Sequence, residues 1–277
     1  MALKQPVVWI TGASSGLGLY TAQALRDAGF LVIAGARSFK DSAQTEDGIH
    51  RLPLDVTSDE SAAAFCEAAL RISPRVDALV NCAGVLVLGP CEETPLTEYR
   101  RVMETNFLGM VRMNQAALPH MRAQGGGKIV MYSSINGLLG IPYQSAYTAS
   151  KHAVEGYAEC LAMETKRFGV QVCLVEPGDH RGGSQTYRGR AAEAVASPYH
   201  ADCARAVATI HRDESGGSDP AVLGRKVARM LLKKHIPFRK CIAKPDQHLA
   251  VALHKLLPPK LNAAILRQYY LGGNQQR

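Results

Sequence analysis

Val7-Val8-Trp9-Ile10-Thr11-Gly12-Ala13-Ser14-Ser15-Gly16-Leu17-Gly18 is a short apolar run, a turn of small residues and the opening of a helical pattern that continues through Ala24, Leu25 and Ala28. Four apolar residues bounded by a Gly/Ser cluster suit a buried strand. Gly12 permits a tight turn. Gly16 lets the backbone approach a pyrophosphate, and Gly18 lets the helix pack close to the strand. The helix N-terminus that follows favours an anion. Ser14, Ser15 and Leu17 lie in the same turn and count with the glycines as cofactor contacts. Strand, glycine turn and helix form the start of a dinucleotide-binding unit. The competing reading is an ordinary Gly/Ser loop, and the motifs further along the chain weigh against it.

The strongest of these is Tyr147-Thr148-Ala149-Ser150-Lys151, preceded by Ser134. Residues four apart on a helix share a face, ~6 Å apart along the axis. A lysine ammonium there favours the phenolate of a tyrosine that ordinarily titrates near pH ~10. A serine hydroxyl delivered from elsewhere can hold a substrate oxygen beside that phenol. Such a trio moves a proton on or off an alcohol oxygen. An isolated Tyr/Lys pair is usually just a solvated helix face.

Together the residues resemble the classical short-chain dehydrogenase/reductase family, and within it the hydroxysteroid and retinol dehydrogenase group. The resemblance rests on Thr11-Gly12-x-x-x-Gly16-x-Gly18, Asp55-Val56, Asn81-Cys82-Ala83-Gly84, Asn106, Ser134, Tyr147-x-x-x-Lys151 and Pro177-Gly178, running through residues 6 to 178. It implies that Tyr147 is the general acid when a ketone is reduced, and that Lys151 lowers its pKa and binds the nicotinamide ribose. Ser134, thirteen positions before the tyrosine, stabilises the alkoxide. Asn106, read as the first residue of a helix, would hold a relay water near Lys151. Asp55 and Val56 would lie along the adenine, Asn81, Ala83 and Gly84 beside its ribose, and Pro177 and Gly178 at the cofactor. A homodimer through the helices at 106–122 and 147–168 is also implied.

Cofactor choice turns on Leu31-Val32-Ile33-Ala34-Gly35-Ala36-Arg37. No carboxylate stands where an NAD enzyme grips the ribose hydroxyls, and the guanidinium of Arg37 suits a 2′-phosphate. NADP(H) is therefore expected. Two departures from the family pattern stand out. Cys82 replaces a common asparagine, and Gly182 replaces a threonine that often binds the nicotinamide amide, with Ser184 or a backbone group as a substitute.

At 277 residues the chain suits one large α/β domain. Seven cysteines are scattered without a C-x-x-C pair, which fits free thiols in a reducing compartment and no metal site. No signal-like start and no apolar run of ~18 residues is seen, so a cytoplasmic protein is expected. The net charge of +8 is entirely C-terminal: Val222 to Arg277 holds 12 Lys/Arg against one acid, Asp246. Solvated helix faces account for that, or peripheral contact with an anionic membrane. No nucleic-acid reader is recognisable.

Apolar runs at 7–10, 31–35, 50–54, 78–81, 128–133 and 170–175 alternate with helical patterns, and a last strand is expected at 239–243. The fold read from this is a Rossmann-like doubly wound parallel sheet of about seven strands. A single domain spans 1–277, with a cofactor-binding and catalytic core over 6–178. A substrate-binding loop and C-terminal helical cap occupy 179–277. Ser197 and Asp219, each before a proline, are expected N-caps. Leu138, Leu139, Ile141, Pro142 and Tyr143 are read as pocket wall, and the amphipathic stretches 221–235 and 246–257 as a lid over it. The substrate expected is a small lipophilic ketone or alcohol, such as a steroid or retinoid. The alternatives are a keto-lipid or acyl-dihydroxyacetone phosphate reductase, and a non-catalytic NADP-binding regulatory protein.

Overall fold

The computed structural model describes residues 5–40, 47–182, 189–190 and 196–272. The first half alternates strand and helix: β1 (Val7–Thr11), α1 (Gly16–Asp27), β2 (Leu31–Ala36), β3 (Ile49–Pro53), α2 (Asp59–Ile72), β4 (Ala78–Asn81) and the short β5 (Val87–Leu88). Next come α3 (Leu96–Met103), a π turn (Glu104–Leu108), α4 (Gly109–Ala123), β6 (Gly127–Tyr132), α5 (Ser145–Thr165), β7 (Val170–Pro177) and the short β8 (Gly189–Arg190). The end of the chain supplies α6 (His200–Ser215), α7 (Pro220–Leu231), β9 (Arg239–Ile242), α8 (Pro245–Leu256) and α9 (Pro259–Leu271). Ser58 caps α2 by accepting from the Ser61 N–H, with Asp59 and Glu60 in the first turn.

Seven strands pair in the order β3-β2-β1-β4-β6-β7-β9, every neighbour parallel. Both faces are covered, which is why the inner strands read as continuous apolar runs, while the edge strands β3 and β9 are mixed and partly exposed. Side chains alternate between two layers. Trp9, Ile33, Leu79, Ile129 and Leu174 meet Phe65 of α2, Met113 of α4 and Val154 of α5. Val8, Ile10, Val32, Val80, Val130 and Val175 meet Leu25 of α1 and Leu223, Val227 and Met230 of α7.

That second layer corrects the reading of 221–235 as a lid. Its apolar stripe is buried against α1 and the sheet, because an amphipathic pattern specifies a face to bury and not the surface that buries it. Asp219 does cap α7, accepting from the Ala221 N–H at 2.9 Å, with Pro220 first in the helix. Ser197 does not begin a helix. Its hydroxyl accepts from the Tyr199 N–H at 3.0 Å in a turn, and α6 starts at His200. The stripe of α8 is also not what covers the cleft, as shown below.

Candidate active site

The strand order reverses beside β1, where β2 lies on one side and β4 on the other, so a crevice opens at their C-terminal ends. A cleft of about 520 Å³ lies there. Its floor is Gly12, Ser14, Ser15, Gly16, Leu17 and Gly18, at the N-terminus of α1. Gly12 has φ 67°, and a Cβ on it would lie 2.6 Å from Ala83 Cα. A Cβ on Gly18 would come within 2.1 Å of the Gly12 carbonyl oxygen. Only glycine permits this closeness, which packs the turn against the Cys82-Ala83 loop and against the start of α1. Thr11 Oγ1 ties the turn to the next loop, accepting from the N–H groups of Cys82 and Ala83 at 3.1 Å each.

Arg37, Asp55 and Val56 line one end of the cleft, with Ala83 and Gly84 beside them. Burial pushes the Asp55 carboxyl up. Hydrogen bonds from the Thr57 N–H and hydroxyl, at 2.9 and 2.8 Å, outweigh it with the charges of Arg37 and Arg112, so the group is held below the ordinary carboxylate range. Asn81 is not on the wall. It sits on β4, one alternation away, and its Nδ2 donates to Asn114 Oδ1 at 2.8 Å inside the core. Cys82 lines the cleft too, and burial raises its thiol to about 12, which disfavours the reactive thiolate.

Ser134, Tyr147, Lys151, Pro177 and Gly178 line the other end. Ser134 follows β6 in extended backbone, its hydroxyl donating to Asn136 Oδ1 and accepting from Asn136 N, each at 3.2 Å. Asn136 Nδ2 in turn donates to Gln144 Oε1 at 2.9 Å and Thr148 Oγ1 at 3.3 Å, locking the serine's loop onto α5. Tyr147 and Lys151 stand one turn apart on α5, with Nζ 5.5 Å from the tyrosine ring centroid. Lys151 is buried and donates to the Tyr132 carbonyl at 2.6 Å. Burial pulls its pKa down to about 8, opposed by Cys82 and by Glu155 one turn on. At neutral pH the ammonium still predominates by roughly ten to one, with donors left for the cleft.

Asn106 does not begin a helix. It lies within a π turn in a continuous helical run from Leu96 to Ala123, fully buried. Its carboxamide accepts from Val85 N at 2.7 Å and donates to Val85 O at 2.9 Å and to Ser150 Oγ at 3.0 Å. The wider turn lets that side chain reach two other segments at once, a common use of π turns near sites. Asn106 therefore holds the Val85 loop to α5 behind Lys151 and is not part of the cleft wall.

The sequence reading expects a C-terminal cap over the pocket but names none of the residues through which it walls the cleft. Asp179, His180, Ile210, Asp213, Glu214 and Tyr270 all line the cleft. Asp179 follows Pro177-Gly178 directly and is held by Gln247, which accepts from its N–H at 3.2 Å and donates to its carboxylate. Its carbonyl accepts from Ser218 N at 2.9 Å. Burial, with Asp213 and Glu214 adding repulsion, pushes the Asp179 carboxyl up to about 6, while Gln247 and Lys244 pull the other way. Of the 138–143 stretch only Ile141 lines the cleft; Leu139 packs on Ile135 and Val251, and Tyr143 on Leu88 and Cys203. Gly182 has φ 66°, a conformation hostile to a threonine. Ser184 lies outside the described residues, as does most of the 179–197 loop.

The chain belongs to the short-chain dehydrogenase family, whose model, described as "short chain dehydrogenase", matches residues 6–190. It is 36% identical over 269 residues to the 3-ketodihydrosphingosine reductase of Bacteroides thetaiotaomicron, covering 97% of this chain and 99% of that protein. It is 40% identical over 189 residues to estradiol 17-beta-dehydrogenase 1 of Rattus norvegicus, covering 64% of this chain and 54% of that one. A short-chain dehydrogenase from Streptomyces avermitilis has the same fold, with a TM-score of 0.79 at 30% identity over 96% of this chain and 97% of that one. The protein is an oxidoreductase of this family.

Proposed function

We propose that the protein reduces the ketone of a long-chain lipid with NADPH, and that the substrate is an α-amino ketone of the 3-ketodihydrosphingosine kind. The observation that carries this reading is the convergence of Ser134, Tyr147 and Lys151 on one cleft with a backbone cradle at the N-terminus of α1. The glycine turn fits a pyrophosphate, and Arg37 beside Ala36 fits a 2′-phosphate. When bound, the reduced nicotinamide supplies the hydride.

The chain's own residues do the rest. Tyr147 donates its phenolic proton to the carbonyl oxygen as that oxygen gains negative charge. Ser134 donates a hydrogen bond to the same oxygen. Lys151, charged and fixed on the Tyr132 carbonyl, stabilises the phenolate left behind. Asn106 positions α5 through Ser150. A homodimer through α4 and α5 belongs to the same reading, and light scattering at micromolar concentration tests it.

Two observations favour the amino ketone over a steroid or retinoid. The likeness to the Bacteroides reductase spans nearly the whole chain, including the elements that wall the cleft, whereas that to the estradiol enzyme covers 64% of it. The cleft wall carries three carboxylates, Asp179, Asp213 and Glu214, of which Asp213 is paired with Arg212 at 3.0 Å and accepts from the Tyr269 hydroxyl at 2.8 Å. A substrate ammonium relieves their mutual repulsion; a neutral steroid does not. The test is NADPH consumption with 3-ketodihydrosphingosine, its analogue lacking the amine, estrone and retinal. Without the ammonium the analogue forgoes a charge-assisted hydrogen bond to this wall, which is expected to cost roughly 10- to 100-fold in kcat/KM. Equal rates with and without the amine would refute the amino-ketone assignment, and no turnover of any ketone would refute the activity.

A further inference from the structure

The apolar stripe of α8 faces outward. Leu249, Ala252, Leu253 and Leu256 fall within about 100° of helix arc, and Leu249 and Leu256 are 59% and 80% exposed. The inward side packs through Val251, buried with Ile135, Leu139 and Ile141. On α9, Leu261 and Ile265 lie one turn apart and are 48% and 45% exposed, while Leu266 and Tyr270 pack inward. Asn262 joins the two helices firmly, its Nδ2 donating to the carbonyls of His254 at 2.9 Å and Leu257 at 3.0 Å. Single exposed leucines are ordinary. Four large aliphatic side chains on one short hairpin mark an interaction surface.

The surrounding charge says what kind of surface fits. From Lys244 through α9 the charged residues are Lys244, Lys255, Lys260 and Arg267 against one acid, Asp246. Apolar side chains rimmed by cations match the boundary between acyl chains and anionic headgroups. A second copy of this chain matches poorly, because a twofold contact sets equivalent lysines near one another. We propose that the α8–α9 hairpin docks the protein on an anionic lipid surface, with Leu249, Leu256, Leu261 and Ile265 entering the interfacial layer and Lys255, Lys260 and Arg267 meeting the headgroups. The hairpin also borders the active site. Tyr270 of α9 lines the cleft, and Val251 of α8 packs on Ile141, which lines it too. Docking therefore places the cleft next to a lipid pool. That last consequence rests on the keto-lipid reading; the docking does not.

The test is co-sedimentation of the full chain with vesicles of phosphatidylcholine containing roughly a third phosphatidylglycerol, and with phosphatidylcholine alone, at low and high salt. Binding is expected on the anionic vesicles and to weaken with salt. Leu249→Ser with Leu256→Ser is expected to lower it about tenfold or more at either salt. Lys255→Gln, Lys260→Gln and Arg267→Gln together are expected to reduce it to the level seen on phosphatidylcholine and to abolish the salt dependence. Melting temperature and turnover of a short water-soluble ketone are expected to be unchanged in both variants, because every substituted side chain is exposed. No binding of the parent to anionic vesicles at low salt would overturn the proposal. So would equal binding to both vesicle types, or leucine variants that dissociate a dimer while lipid binding persists. The assay needs neither NADPH nor substrate, so its failure is distinct from failure of the proposed activity.

Discussion

Asp179→Asn is expected to make the protein more stable and a worse enzyme. The Asp179 carboxyl has a folded-state pKa of about 6 against the ordinary 3.8, chiefly through burial and then through Asp213 and Glu214. A carboxyl with a raised pKa binds its proton more tightly folded than unfolded. Its charged form therefore destabilises the fold, with no cost below pH ~4, a growing cost between pH ~4 and ~6, and a full cost above. The shift corresponds to about 3 kcal/mol at most, and partial solvent access brings the working figure to roughly 1–2 kcal/mol. Asparagine keeps the shape and can still accept from Gln247 Nε2. The variant is expected to melt a few degrees above the parent at pH 8, with the gain falling by roughly half at pH 5. In kinetics KM for the amino ketone is expected to rise while the analogue lacking the amine is unaffected. Calorimetry at the two pH values, with initial rates on both substrates, measures this. A variant destabilised at pH 8, or equally stabilised at both pH values, would refute the electrostatic account of this wall.

Arg37→Ala is expected to weaken NADPH binding roughly 10- to 100-fold and leave NADH binding nearly unchanged, read by cofactor fluorescence titration. Equal weakening for both cofactors would contradict the 2′-phosphate role. Because burial lowers Lys151 to about 8, its ammonium is lost as pH rises through that value, and kcat/KM is expected to fall above pH ~8. A profile flat to pH ~10 would contradict it. Arg239 bonds Glu155, Glu176 at 2.9 Å and Glu159 at 2.7 Å, and the first two are buried. Arg239→Met strands them and is expected to cost roughly 3 kcal/mol in urea unfolding.

What can be read from the sequence is what local chemistry determines. The inner strands are legible because they are buried on both faces, and the cradle because a glycine at 12 and at 18 answers a backbone approach that no other residue permits. The pairing of Tyr147 with Lys151 follows from helical periodicity alone. Asn81 is misplaced by its motif because one alternation along β4 turns its carboxamide into the core. Asn106 is misread as a helix start because a π turn leaves no sequence mark. Asp213, Glu214 and Tyr270 join Asp179 only through tertiary packing, although a carboxylate directly after Pro177-Gly178 is a signal available in the sequence. The stretches 221–235 and 246–257 carry the same amphipathic pattern, yet the first is buried on α1 and the sheet and the second leaves Leu249 and Leu256 in solvent. The pattern is local; the surface that covers it is not.

The central claim is that Tyr147 passes the proton that completes ketone reduction. Single-turnover oxidation of NADPH by the parent and by Tyr147→Phe, with 3-ketodihydrosphingosine at saturation, tests it most directly. The variant is expected to bind NADPH like the parent and to oxidise it roughly 10²- to 10⁴-fold more slowly. Turnover at the parental rate by Tyr147→Phe would contradict the account.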